Sequence, residues 1–270
     1  MRYLILLMLS ASLAWSADPS VVYKLGWQPD AAGVKDRSII NNRRVTASPI
    51  NPSSDLRGKM PVITSQGDLG SCTGQGVGAV LDVAHKMAGG SSFFDPSKLF
   101  LYYQARVMEE TVNQDAGAQI RDVVAGALKF GSPRERTWPY IISRFAWKPS
   151  AAAYTEGLRY QALNAYKCST IDDIKRALSS GLPVVFGVPV YRSIFDLKGP
   201  DATIQMPKVN ERQVGGHCMV FSGHNDAGGY FLVRNSWGKE WGNKGYCKMP
   251  YKYAEKFRLG LDAWVIDNAE

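Results

Sequence analysis

The stretch QGDLGSCTGQG, residues 66–76, sets a thiol, Cys72, among glycines and places a glutamine, Gln66, six residues ahead of it. A thiol attacks a carbonyl only as thiolate. It therefore needs a base, a third group to orient that base, and donors for the oxyanion that develops. The chain offers a candidate for each. Cys72 opens an apolar-periodic run, and the positive end of a helix favours a thiolate. The side-chain NH2 of Gln66 would stand with the backbone N–H of Cys72 as an oxyanion donor pair. His217, in GGHCMVF, is the candidate base, with Gly215 and Gly216 leaving room beside it. Asn235, in RNSWGKEWGNKGY, offers a carbonyl that would accept the imidazole N–H and fix its tautomer. Trp237 and Trp241 would shield that bond from water. Gly67 and Gly70 let the loop before the thiol turn tightly.

These groups need a frame. Val77, Val80, Leu81, Ala84 and Met87 recur near a 3.6-residue period and predict a helix from Cys72 to Met87, ended by Gly89-Gly90. Gly74, Gly76 and Gly78 weaken its first turns, so they are there either for close packing or for mobility. DPSKLFLYYQARVMEE predicts a second helix, with Asp95 as N-cap and Pro96 in the first position. Ile120, Val123, Val124, Ala127 and Leu128 form one stripe of a third, closed by Gly131. STIDDIKRALSSG carries a capping box, Thr170 answered by Asp173. LPVVFGVPVY, GGHCMVFSGHN and GYFLVRNSWG then read as strands. Helices first and strands later predict an α+β fold in two segregated halves, with a ligand site between them. Residues 18–60 read as extended or irregular.

The remaining composition narrows the class. Of 270 residues, 45% are hydrophobic and 21% charged, which is globular rather than disordered. The net charge is +8, but no basic block is interleaved with aromatics, so nucleic-acid binding is not expected. MRYLILLMLSASLAWSADPS reads as a secretory signal peptide, assigned to residues 1–17, cut after Ala14 or alternatively after Ala17. Its apolar run is too short for a stable membrane insertion. The mature protein is expected to be exported, periplasmic or secreted. If Cys72 stays a thiol, at most one disulfide forms among Cys168, Cys218 and Cys247, and the sequence leaves the pairing open. Cys218 follows His217 in a strand and should point to the opposite face. The spacing of His217, Cys218, His224 and Cys247 fits no standard zinc pattern, so no metal and no cofactor are expected. His85 reads as a partly exposed helical residue and His224 as a solvated turn residue.

Taken together, QGDLGSCTGQG, GGHCMVF and NSWGKEWGNKGY resemble the papain-like cysteine peptidases. LFLYYQAR, DAGAQIRDVV, FGSPRERTWPY, PVVFGVPVY and, near the start, LGWQPDAAGVKDRS resemble the bacterial branch more than the plant or lysosomal one, and the resemblance covers roughly residues 25–262. The resemblance implies an N-terminal extension over 18–60 and a helical left domain over 61–160 that carries the nucleophile. It also implies a β-barrel-like right domain over 161–270 that carries the histidine and asparagine, with an extended peptide bound in the cleft. It implies Cys72 as nucleophile, His217 as base and then acid, Asn235 as the orienting residue and Gln66 as oxyanion donor. Gly117 would offer backbone to the substrate, and Gly216 and Trp237 would border the cleft. Thiol and imidazole are expected as thiolate and imidazolium at neutral pH. The chain departs from the family in having Thr73 after the nucleophile and no cysteine just ahead of it. Its extension lacks the helical signature of the inhibitory propeptides, so autoinhibition of that kind is not expected. The expected function is an exported peptidase acting on peptide or protein substrates. Acyl transfer or amide hydrolysis on cell-wall peptides, and an idle binding scaffold, are the alternatives. Sequence preference, endo- or exopeptidase action and oligomeric state are not legible.

Overall fold

The structure is a computed structural model that describes residues 23–30, 36–257 and 262–268. The signal peptide assigned to 1–17 lies outside the described residues. In chain order the elements are β1 (Trp27–Gln28), α1 (Arg43–Ala47), β2 (Ser53–Asp55), α2 (Cys72–Met87) and α3 (Lys98–Met108). Then come β3 (Ala118–Gln119), α4 (Ile120–Phe130), α5 (Ala151–Gly157), β4 (Asn164–Cys168), α6 (Ile171–Ser179) and β5 (Val184–Tyr191). β6 (Gln213–Asn225), β7 (Tyr230–Arg234), β8 (Tyr246–Pro250), α7 (Tyr251–Phe257) and β9 (Ala263–Asp267) complete it. The fold is α+β.

α2 is the central helix, buried without a break from Cys72 to Ala84. Its glycines serve packing: a Cβ on Gly74 would lie 2.7 Å from the Lys98 carbonyl oxygen, and one on Gly76 would lie 2.9 Å from Cys218 Sγ. α6 carries both bonds of its capping box, between Thr170 and Asp173. α3 begins later than its Asp-Pro signal predicts. Ser97 is the N-cap and accepts from the Phe100 amide, while Asp95 has a positive φ and pairs with Lys98.

Six strands form an antiparallel sheet in the order β4-β9-β5-β6-β7-β8, and β2 adds to β6. The sheet stays open, with β4 and β8 at its ends, rather than closing into the expected barrel-like form. Register slips within β6, between Phe221 and Gly223, let this long strand pair with β5 along its first part and with β7 and β2 along its last. One face packs α6 around Phe186, Phe221 and Phe231. Val185, Cys218, Val220, Trp264 and Ile266 face the other way, into the core of α2, α3 and α4. The segment 18–60, expected to be irregular, contributes α1 and β2. Asn42 caps α1 by accepting from Val45 N, and binds Asp267 through its amide. All four cysteines are buried and free, so none of the considered pairs is bridged.

Candidate active site

Cys72 is the first residue of α2, so its thiol stands at the positive end of that helix. The backbone N–H groups of Cys218 and Gly26 act on that thiol. β6 alternates as expected: Cys218 packs against α2, and its neighbour His217 faces Asn235 and Trp237. His217 Nε2 donates to Asn235 Oδ1 at 2.8 Å. The same oxygen accepts from Ser236 N at 2.7 Å, so the Asn235 amide is held in one orientation. Trp237 stacks on the imidazole at 4.4 Å, and Trp241 meets Trp237 edge-on. Gln66 is fully buried; its backbone N–H donates to Ser236 O, and its Oε1 accepts from Ser236 Oγ at 2.7 Å. Its Nε2 therefore points away from Ser236 and donates to Leu69 O at 3.0 Å and Lys24 O at 3.1 Å.

That contact with Lys24 exposes the largest difference from the sequence reading. Residues 23–28 run through the cleft as an extended strap. Tyr23 stacks on Trp237 at 4.7 Å. Gly26 lies so close to the nucleophile loop that a Cβ on it would stand 1.8 Å from Gly70 O. Ala118 N donates to Gly26 O at 2.8 Å, and β1 pairs in parallel with β3. Gly117, at φ +77°, would bring a Cβ within 2.1 Å of Gly26 O. Gly216 would bring one within 2.6 Å of Trp27. Gly117, Gly216 and Trp237 all line the strap, as they were expected to line a substrate. The sequence leaves the presence of an inhibitory prosegment open and argues only against a helical one; here residues 23–28 of the extension occupy the cleft without a helix.

Burial under the strap changes the electrostatics. It pushes the Cys72 thiol up to about 12, against the smaller opposing pull of the amides around it. It pushes His217 down to about 4, with the Asn235 bond opposing. In this closed state burial disfavours the charged form of both groups, which opposes the expected thiolate and imidazolium. His217 Nδ1 has no hydrogen-bond partner among the described residues. His224, expected in a solvated turn, is instead buried on β6.

Several site residues carry no motif. Asp115 accepts from Gly70 N at 2.9 and 3.0 Å and from Tyr102 OH at 2.7 Å, while Tyr102 OH accepts from Gly117 N at 3.1 Å. Through Tyr102, this carboxylate ties the loop before the thiol to α3 and to the Gly117 segment of the same helical half, at the place where the resemblance noted a missing cysteine. Lys24 of the strap pairs with the same carboxylate at 3.5 Å. Tyr140 OH donates to Gln66 O at 2.9 Å. Among the described residues no group of three or more His, Cys, Asp or Glu is disposed to hold a metal ion.

A thiol at a helix N-terminus and a strand-borne imidazole held by an amide, in an α+β chain, are the features that the papain-like resemblance implied. Residues 51–262 match the family described as papain family cysteine protease, Peptidase C1, and the chain belongs to it. It is similar to an uncharacterized peptidase C1-like protein of Acanthamoeba polyphaga mimivirus, 39% identical over 74% of this chain and 68% of that protein. The thiol protease aleurain of Arabidopsis thaliana is 25% identical over 77% of this chain, which spans 58% of aleurain. Among solved structures, xylellain, a cysteine protease from Xylella fastidiosa, superposes with a TM-score of 0.82 at 33% identity, covering 91% of this chain and 96% of xylellain.

Proposed function

We propose that this protein is an exported cysteine peptidase that hydrolyses peptide bonds through Cys72, His217, Asn235 and Gln66, and that it is made with its cleft shut by residues 23–28. The His217–Asn235 bond beside a thiol at a helix N-terminus carries the reading. Once the strap leaves, water and substrate reach both groups, and the desolvation that holds them neutral is relieved. Cys72 passes its proton to His217 and attacks the peptide carbonyl. The oxyanion takes donors from Cys72 N–H and from Gln66 Nε2, which in the closed state donates to the Lys24 carbonyl. The imidazolium protonates the leaving amine, and water then releases the acyl group with His217 as base. Export rests on the N-terminal apolar run. Among the described residues no helix is long and apolar enough to cross a membrane.

The test is a diverse peptide library incubated with the wild-type chain and with Cys72→Ala, with products read by mass spectrometry. Cleavage by the wild type alone is expected, with carboxyl-ended products that mark hydrolysis rather than transfer to an amine. Identical product patterns from the two proteins would end the proposal.

A further inference from the structure

The loop that leads into the thiol, residues 66–71, is held at both ends. At Gln66 the backbone N–H donates to Ser236 O, and Tyr140 OH donates to Gln66 O. At the other end the loop runs into α2 at Cys72. Between them Gly70 has no side chain to hold it. Its N–H instead donates to both oxygens of the Asp115 carboxylate, at 2.9 and 3.0 Å. A Cβ on Gly70 would stand 2.9 Å from Asp115 Oδ1, so glycine lets the carboxylate approach this closely. Asp115 is itself fixed from behind. The buried guanidinium of Arg106 donates to Val112 O at 2.7 Å and to Gln114 O at 3.2 Å, which pins the backbone just before Asp115. The same guanidinium lies 4.1 Å over the Tyr102 ring. Burial, and then the bond to Asp115, push the Tyr102 phenol up, so it stays protonated and keeps donating to the carboxylate. One chain of contacts therefore runs from α3 to a backbone amide two residues before the nucleophile. All four cysteines are free, so this tie is non-covalent and no reductant opens it.

Resting on the peptidase reading above, we propose that Asp115 is a positioning residue for the reaction: its carboxylate sets the loop that aims the oxyanion donors, Cys72 N–H and Gln66 Nε2, while Tyr102 sets the Gly117 segment along which the substrate lies. The two residues divide the work. Charge on the attacked oxygen develops only in the transition state, so a loop released at Gly70 loses kcat rather than affinity. Tyr102 OH accepts from Gly117 N, and its loss loosens the backbone that the substrate meets already in the bound state. Hydrogen bonds to a charged acceptor are the strong class, so removing the carboxylate should lower kcat by about ten- to a hundredfold.

The experiment uses the full-length chain carrying Gly26→Ala as parent. Rates are counted per Cys72 thiol titrated by a peptidyl epoxide, so the fraction of open molecules does not enter. Asp115→Ala is expected to lower kcat per titrated site by about ten- to a hundredfold, with KM within about twofold of the parent. The isosteric Asp115→Asn keeps one acceptor oxygen and should recover part of that loss. Tyr102→Phe should raise KM about fivefold and leave kcat within about twofold. An Asp115 that served stability alone would lower the titrated fraction and the unfolding temperature and leave kcat per site unmoved. That result overturns the assignment and leaves the peptidase standing. Where Asp115→Ala does not fold, Asp115→Asn decides: a kcat per site equal to the parent's overturns the assignment. Equal losses of kcat in Tyr102→Phe and Asp115→Ala overturn the division between them. Titration of Cys72 with no cleavage of any peptide by the parent overturns the peptidase reading, and the assignment with it.

Discussion

Ser236 Oγ donates to Gln66 Oε1 at 2.7 Å, across 170 positions of sequence. The bond settles which end of the glutamine amide faces the cleft. With Oε1 occupied by Ser236, Nε2 is turned to the Leu69 and Lys24 carbonyls, and on the proposed function the Lys24 oxygen stands in for a substrate oxyanion. Ser236 N also donates to Asn235 Oδ1, so one residue aligns both the oxyanion donor and the amide that holds the histidine.

Ser236→Ala should therefore act on the reaction rather than on binding. It leaves a buried Gln66 Oε1 without its side-chain donor, a loss of about 1–2 kcal/mol for a neutral bond. The expected result is a roughly five- to thirtyfold fall in kcat with KM nearly unchanged. Gln66→Ala should fall further, by about a hundred- to a thousandfold, since it removes the donor itself. Steady-state kinetics on one peptide would check both. A rise in KM at constant kcat would show that Ser236 serves binding instead.

The strap fits because Gly26 has no side chain. A Cβ there would stand 1.8 Å from Gly70 O, against Gly70 backbone with no flexible side chain to yield. Gly26→Ala should push residues 23–28 out of the cleft and raise the peptidase activity of the full-length chain by tenfold or more. Folding of residues 36–257 should be undisturbed. Initial rates with far-ultraviolet circular dichroism as the folding control would test this. Activity at or below that of the wild type, in a folded protein, would mean the strap does not hold the enzyme shut.

The thiol supplies a reporter of closure. In the closed state burial holds Cys72 near 12, so at pH 7 almost none of it is thiolate. Its raised pKa also fixes a sign for the strap equilibrium. Closure keeps the thiol protonated, so it is favoured at low pH and this contribution is lost as pH rises toward about 12. Iodoacetamide should label Cys72 slowly at pH 7 in the wild type and much faster in Gly26→Ala. The wild-type rate should climb steeply only above pH 9. Fast labelling of the wild type at pH 7, read by peptide mapping, would contradict the closed state.

The reactive residues are legible in the sequence because their chemistry constrains them. A thiol at a helix start, a histidine after two glycines and an Asn-Ser-Trp-Gly run are each recognisable by residue type. α6 is legible for a similar reason, since its capping box is local. The start of α3 is not read correctly. The choice between Asp95 and Ser97 as cap rests on Ser97 reaching the Phe100 amide, which two plausible caps in a row do not reveal. His224 was misread because a turn signal at Asn225–Gly229 sits beside it while its backbone belongs to β6.

The roles of Asp115, Asp262 and the strap lie beyond any such reading. A lone aspartate is solvated on most surfaces; these two matter because distant amides and an indole converge on them. Residues 23–28 have neither period nor cap, and their hold on the cleft comes from backbone bonds and from glycines on four separate segments. The sequence alone therefore determined which side chains carry the chemistry and the α+β frame beneath them. Only the tertiary structure decided that residues 23–28 occupy the cleft, that the thiol and imidazole are buried beneath them, and that Trp27 of the strap bonds Asp262. Burial and close approach are properties of segments far apart along the chain, and no local pattern of residues encodes them.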